Sequence, residues 1–372
     1  MVVKIARTLA ALALLPLAAC ALDGTDATGE EDDAVTVDTS TPGARAQYDA
    51  NVAFAQGYTP RCKPQSNGHK RAIVTGFGRF LYVSENATGR VVSTLVPAAK
   101  YPSTTPPASK DAVDPPAPQT SVAVGTVHLA HAGDVDVCAM ILPVYWDLAA
   151  ILVAKEVDAF GPDVVLMNGV ADTTQDLWIE LGSVNRAMHE VDGSDRLVPI
   201  ATNGRKTIPL VPTASSSDLL RGQLMSWRPV EDAARAAVVA RGADKDADGR
   251  RFDEVLTGAK LAGFPRAGNT YLCNNVTYLV NYLMGYAGQS VTLLKASVPD
   301  PKKPNGVKVR IARDVRKVPR TFLHWPSSLA SEHLADGAAV LSAVLDAQLS
   351  TKTAPTVGSN AMAEIQASGG TF

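Results

Sequence analysis

No apolar run in the 372-residue chain approaches the roughly 20 residues that a membrane-spanning helix needs. Neither sign of charge dominates: 35 Lys and Arg stand against 37 Asp and Glu, a formal net charge of −2. Without a basic excess, nothing argues for a nucleic-acid partner. Cysteine is sparse, at four residues: Cys20, Cys62, Cys138 and Cys273. What is present is a chain 46% hydrophobic and 19% charged, which suits one globular domain of good size plus extensions.

The first residues read as a targeting segment. Lys4 and Arg7 form a positive start, Leu9 to Leu17 an apolar stretch, and Leu17-Ala18-Ala19-Cys20 a small-residue cleavage site. Residues 1–19 are therefore expected to be a signal peptide. Leu-Ala-Ala-Cys resembles the bacterial lipobox, whose Cys is lipidated and becomes the mature N-terminus; an ordinary signal peptide with a chance Cys20 is the alternative. Either reading makes the protein exported. With Ala21 rather than Asp after the Cys, the first points to a cell-envelope lipoprotein of the outer-membrane default, touching the membrane only through its N-terminal lipid. Residues 20–68 then read as a tether, acidic at Asp23, Asp26, Glu30, Glu31, Asp32 and Asp33, with a short helix and an extended strap leading to Cys62.

The pattern over 69–350 is that of the main domain, followed by a flexible tail over 351–372. Arg71 to Thr75 is a short β-branched run entering a Gly-rich loop. Residues 89–99 suit a helix, and 102–118, rich in Pro, Ser and Thr, an exposed insertion. Residues 122–130 and 135–144 read as strands joined by a hairpin turn at Gly133-Asp134. Asp147 is placed to cap a helix ending at Gly161-Pro162, before a buried strand over 163–169. Strand, helix and strand in that order make a βαβ unit and so a parallel or mixed sheet. Residues 207–226 are expected to form a Pro-started helix and 291–298 a strand. Pro299 to Lys308 reads as a polar loop, and Ser331 as the cap of an amphipathic helix carrying Leu334, Ala338, Leu341 and Leu345.

Chemistry is expected at Gly268 to Met284. Val276, Leu279, Val280, Leu283 and Met284 make the i, i+3, i+4, i+7, i+8 stripe of a helix packed on a core. Turn and N-cap residue types at Gly268-Asn269-Thr270 place Cys273 on its first turn. Unpaired N–H groups and the helix dipole stabilise a thiolate there and could hold an oxyanion, although a free Cys is also commonly a small buried hydrophobe.

Four short stretches resemble one family, pyroglutamyl peptidase I, cysteine peptidases that remove N-terminal pyroglutamate. Thr270-Tyr271-Leu272-Cys273-Asn274 is similar to its nucleophile motif. Thr75 to Phe80, with Asn86 six residues on, is similar to its first loop, although Arg79 and Leu81 replace the usual Pro and Gly. The stretch from Gly169 through Glu180 to Asn185 resembles its catalytic-Glu region. There, Val170 replaces the Gln of many bacterial members, Asp172-Thr173-Thr174 their Gly-Gly-Arg, and Leu181 the Arg after the Glu. Phe322-Leu323-His324-Trp325-Pro326 resembles the stretch holding its general base.

The resemblance covers about residues 70–345. It implies an α/β fold, a three-layer α/β/α sandwich around a twisted mixed, mostly parallel sheet. It implies Glu180, Cys273 and His324 as the catalytic set, and Phe77, Phe80, Asn86, Val170, Tyr271 and Leu272 around a peptide or small amide substrate, with no cofactor. With Cys20 lipidated and Cys273 catalytic, Cys62 and Cys138 are left to form a disulfide. Residues 228–255 are extra to the family pattern and contain Asp244, Asp246 and Asp248, spaced like the start of a calcium loop. Glu254 falls at loop position 11 instead of 12, so a solvated acidic turn is the alternative. Two other readings stay open: a cysteine amidohydrolase of the same fold for another lactam or acylated amine, and a non-catalytic envelope lipoprotein that binds ligands. A homo-oligomer is compatible with all of these.

Overall fold

The computed structural model describes residues 35–81, 83–171, 175–201, 208–212, 214–263, 270–329 and 331–359. The chain begins with β1 (Thr36–Val37), α1 (Pro42–Gly57), β2 (Lys70–Phe77), α2 (Ala87–Leu95), β3 (Ser121–Leu129) and β4 (Gly133–Leu142). Then come α3 (Leu148–Phe160), β5 (Val164–Ala171), β6 (Asp176–Glu180), β7 (Gly182–Val184), β8 (Pro199–Ile200), β9 (Leu220–Gly222) and β10 (Leu224–Met225). The rest is α4 (Trp227–Arg241), β11 (Gly258–Ala262), α5 (Leu272–Gly285), β12 (Ser290–Leu293), β13 (Lys295–Ala296), β14 (Val307–Arg310), β15 (Arg320–Pro326), α6 (Leu334–Ser350) and β16 (Thr356–Val357).

The main sheet runs β11-β6-β15-β5-β2-β4-β3, with β10 and β16 attached beside β15. The pairs β11–β6, β15–β5, β5–β2 and β2–β4 are parallel, while β6–β15 and β4–β3 are antiparallel. Successive strand residues point to opposite faces, and here they feed two separate cores. Ile73, Met140, Val165, Met167 and Phe322 join α1, α3 and α5 on one face. Val74, Ala139, Ile141, Leu166, Leu323 and Trp325 join α2, α4 and α6 on the other. The result is the three-layer α/β/α sandwich with a mixed, mostly parallel sheet that the sequence implied. Both faces of the sheet are covered, which is why its strands read as near-continuous apolar runs.

Several local expectations need correction. The end of the expected tether belongs to the fold: Val35 and Val37 are buried, and β1 pairs with β13 and β8. The short helix expected before the strap is α1, which begins at Pro42 and packs in the core. Thr41 caps α1 by accepting from Ala44 N at 3.2 Å. No helix forms within the described part of 207–226. Pro209 and Pro212 remove backbone donors, Ser215 Oγ donates to Asp218 at 2.7 Å, and the chain instead makes a single turn at Ser216–Asp218 followed by β9 and β10. Residues 228–255 are not a simple insertion either, since α4 supplies Val230, Ala234 and Val238 to the second core. The tail is tied down as far as β16, which pairs with β10. The strand expected over 291–298 is broken into β12 and β13 at Leu294, which has φ +54°. The residue before α6 is His333, not Ser331. Asp147 precedes α3 but does not cap it. Its φ is +60°, and its carboxylate instead accepts from Asn275 Nδ2 at 2.8 Å and Leu294 N at 2.9 Å. Burial outweighs those bonds and raises the Asp147 carboxyl to about 6.

The expected exposed insertion over 102–118 contains a buried anchor. Arg79 and Asp114 are both buried and meet through two guanidinium–carboxylate bonds of 2.7 and 2.8 Å. Gln119 also donates to Asp114 at 2.9 Å. A paired buried charge of this kind is strongly position-specific, because losing either partner strands the other.

Cys62, in the strap after α1, and Cys138, on β4, form a disulfide across 76 residues of chain. Beside it, Glu156 of α3 is buried and accepts from Tyr58 Oη at 2.5 Å, Arg61 N at 2.7 Å and Cys62 N at 3.0 Å. Strap and helix are thus joined twice. Replacing both cysteines by alanine is expected to lower unfolding free energy by about 4 kcal/mol, the chain-entropy value for a loop of this size. Urea denaturation of the oxidised wild type and the variant would measure it. Superimposable curves would show that the bridge adds no stability.

Candidate active site

Because β15, β5 and β2 are mutually parallel, their carboxyl ends lie along one edge of the sheet. The chain leaves β2 toward β4 on one side, while β5 returns on the other, so β2 and β5 flank a topological switch point. Ligand sites of open α/β sheets favour such a crevice. Phe77 ends β2, Gly169 and Val170 lie near the end of β5, and His324 lies near the end of β15 directly opposite Gly169.

Cys273 arrives from the far side, on the first turn of α5, and is the one free cysteine among the described residues. Gly169 makes the approach possible: a Cβ there would lie 2.7 Å from Cys273 Sγ and 2.6 Å from Phe322 Cζ. His324 lies close enough to Cys273 for the sulfur to raise its pKa. On its other side, His324 Nδ1 lies 2.6 Å from Glu180 Oε1, with both side chains buried. A carboxylate can only accept, so Nδ1 carries the hydrogen and Nε2 is the nitrogen left for the sulfur. Burial alone would lower the His324 value, but the negative charges of Glu180 and Cys273 prevail and raise it to about 10.

Side-chain hydrogen bonds hold this geometry in place. Asn274 accepts from Val184 N at 3.0 Å and donates to the carbonyls of Val184 and Arg186 at 2.9 and 2.8 Å. Asn275 accepts from Asp147 N at 2.9 Å while donating to its carboxylate. Thr321 Oγ1 donates to Glu180 O at 2.7 Å, which fixes β6 against β15. Asn168 donates to Thr75 O at 2.8 Å and accepts from Trp325 Nε1 at 2.9 Å, locking β2, β5 and β15 beneath the site.

Cys273 opens into a cavity of about 530 Å³. All six residues inferred to surround a substrate line it: Phe77, Phe80, Asn86, Val170, Tyr271 and Leu272. Tyr271 stands edge-on to Phe80 and Trp146, with ring centres 5.9 and 5.5 Å away, and its hydroxyl donates to Val191 O. Burial above all raises its phenol pKa, keeping it neutral. Asn86 is also the N-cap of α2. Its Oδ1 accepts from Thr88 N at 3.1 Å and Thr88 Oγ1 at 2.7 Å, so its amide offers a donor to a ligand. Arg79, where the family has Pro, points away from the cavity into its ion pair with Asp114.

Val83, Glu85, Ala87, Arg90, Val144, Ser327 and Leu329 complete the lining, and the sequence reading did not name them. Ala87 and Arg90 follow Asn86 on one helical face, a signal that was available once Asn86 was assigned. Val144 and Leu329 come from loops and carried none. The acidic loop does not gather its carboxylates. Asp244 pairs with Arg241 at 3.1 Å, while Asp246 accepts from the amides of Asp248 and Arg250 at 3.0 and 2.8 Å. Among the described residues, the three do not form a group able to hold a metal ion. Cys20, residues 1–34, Asp172 to Thr174, Gly268, Asn269 and the tail from 360 lie outside the described residues.

The chain matches no protein-family model and no curated protein. Solved structures similar to it include pyroglutamyl peptidase I of Bacillus amyloliquefaciens, at 12% identity and TM-score 0.43, over 76% of this chain and 98% of that one. A mutant pyrrolidone carboxyl peptidase from Pyrococcus furiosus is similar at 16% identity and TM-score 0.44, over 75% and 98%. The pyrrolidone carboxyl peptidase of Thermococcus litoralis is similar at 16% identity and TM-score 0.43, over 75% and 93%.

Proposed function

We propose that the protein is a cysteine hydrolase that releases pyroglutamate from the N-terminus of peptides or small amides. The observation that carries this reading is the series of buried Glu180 and His324 behind Cys273, whose side chain lines an apolar cavity. In this mechanism His324 takes the proton of Cys273 and the thiolate attacks the carbonyl joining pyroglutamate to the next residue. First-turn N–H groups of α5 stabilise the oxyanion. Glu180 keeps the imidazole in its productive tautomer and stabilises the imidazolium. As the tetrahedral adduct collapses, the C–N bond breaks and His324 gives its proton to the departing amine. Water, deprotonated by His324, then attacks the thioester, and pyroglutamic acid leaves as the Cys273 sulfur is regenerated.

The lining suits a small neutral ring. Phe77, Phe80, Tyr271 and Leu272 supply apolar contact, and the Asn86 amide can donate to the lactam carbonyl. An open N-terminal Glu or Gln would carry an ammonium into this enclosure, and burial of an unpaired charge costs several kcal/mol. The expected result is hydrolysis of a pyroglutamyl amide at least about a hundredfold faster than the matched prolyl and glutaminyl amides, each 1.4 kcal/mol being about tenfold. Equal rates on all three, or no hydrolysis of the first by protein whose Cys273 still alkylates rapidly, would overturn the substrate assignment. Val170 favours one second reading, an amidohydrolase for a different lactam, because an isopropyl group offers the ring no polar contact.

A further inference from the structure

A small lactam fills only part of a cavity of about 530 Å³. Once the six residues inferred for the ring are set aside, much of the remaining lining is apolar: Val83, Ala87, Val144 and Leu329. Val83 is the unusual one. It is among the few large apolar side chains exposed in the described part of the molecule, at 58%. It is not on a loose strand end, because Val83 N donates to Phe80 O at 2.8 Å and Phe80 N to Val83 O at 3.1 Å. That two-way pairing fixes Val83 beside an aromatic of the ring enclosure. Leu329 is buried at 1% and follows β15, the strand carrying His324, through a turn in which its N–H donates to Pro326 O at 3.0 Å. Ala87 opens α2 directly after Asn86.

We infer that Val83, Ala87 and Leu329 form a second, apolar subsite for the side chain of the residue following pyroglutamate, so that the preferred substrates carry an uncharged apolar residue there. This rests on the hydrolase reading above and deepens it. The charged groups of the lining do not compete with that preference. Arg90 is paired with Glu85 and lies 4.8 Å over the ring of Tyr101, so a charged leaving residue meets two opposite charges side by side and no net charge to favour it. The exposed Val83 is covered when such a substrate binds, and removal of apolar surface from water favours that state.

The test uses four amidated pyroglutamyl dipeptides, with leucine, alanine, lysine or aspartate in the second position, and follows free pyroglutamate. The wild type should show kcat/KM for the leucine substrate at least about tenfold above those for lysine and aspartate, with alanine between, as expected of an apolar pocket. Val83→Asp, at an exposed position that tolerates a polar side chain, should bring leucine and lysine within about threefold of each other, mostly by lowering the leucine value. All four substrates turned over within about twofold by the wild type would overturn the second subsite while leaving the pyroglutamyl reading intact. An unchanged leucine preference in Val83→Asp would remove Val83 from it. Failure to cleave any of the four, with Cys273 still reactive toward an alkylating agent, would overturn both.

Discussion

Cys273→Ala and His324→Ala should each lower kcat/KM toward a pyroglutamyl amide by at least about 10⁴-fold, and the double variant should be little worse than either, because nucleophile and base act as a unit. The sulfur lines the cavity and the buried ring lies behind it, held by Glu180, and neither does acyl transfer alone. Glu180→Gln should keep a measurable remnant: an amide can still hold the ring, but it neither fixes the tautomer nor balances an imidazolium. Steady-state kinetics of the three variants, with circular dichroism to confirm folding, measures this. Near-normal turnover in Cys273→Ala would remove the nucleophile assignment. The pH profile follows from the same pair. A group whose folded value is raised, as His324 is to about 10, adds stability in full below its unfolded value near 6.5. That contribution is lost as pH rises through about 10. Activity should therefore hold into the alkaline range and fall, together with the unfolding midpoint, as pH passes that value. A fall centred near 7 on the alkaline side would contradict the arrangement.

Gly169→Ala should cost at least about a hundredfold in turnover, although it adds a single methyl group to a residue that makes no chemical step. The added carbon would lie 2.7 Å from Cys273 Sγ and 2.6 Å from the Phe322 ring, closer than non-bonded carbons come. Either the Cys273 sulfur or the Phe322 ring must move; the first is the proposed reacting atom and the second packs with its centre 4.6 Å from that of the His324 ring. The same overpacking should destabilise the domain by about 1–3 kcal/mol. Gly68→Ala is the control, since a Cβ there meets nothing within 4 Å and should change neither activity nor melting. Kinetics and melting curves of the two variants decide it. If Gly169→Ala behaves like the control, the close approach of β5 to the sulfur does not matter.

The layers were legible because periodicity reports burial. The run from Val164 and the stripe from Val276 to Met284 each record how many faces of an element are covered. The site was legible for a different reason. Four short stretches carry the family resemblance, and that resemblance points to Glu180, Cys273 and His324. Position alone leaves Cys273 a buried hydrophobe, and the three meet only because strand ends and one helix start bring distant stretches together. What could not be read depended on partners far along the chain. Asp147 looks like a helix cap from its neighbours, but its partners are Asn275 and Leu294. Asp114 looks like part of a polar insertion until Arg79 is placed against it. Residues 35–41 read as tether because β1 is too short to show a period and finds its pairing at residues 199–200 and 295–296. Pro209 marked the start of a helix by rule, but Pro212 and the three serines from 215 favour local bonding over a helical ladder.

The Cys62–Cys138 bridge also affects how oxidation of the reactive sulfur would end. An oxidised thiolate becomes a sulfenic acid, which is rescued when a nearby thiol condenses with it and is then reduced. Among the described residues, the other two cysteines are already committed to each other in the α1 and α3 layer, leaving Cys273 as the sole free thiol. Within that part of the chain no resolving partner exists. Recovery of a sulfenylated Cys273 therefore depends on thiols arriving from solution through the same cavity that admits substrate, and whatever occupies the cavity also shields the sulfur from the next, irreversible oxidation.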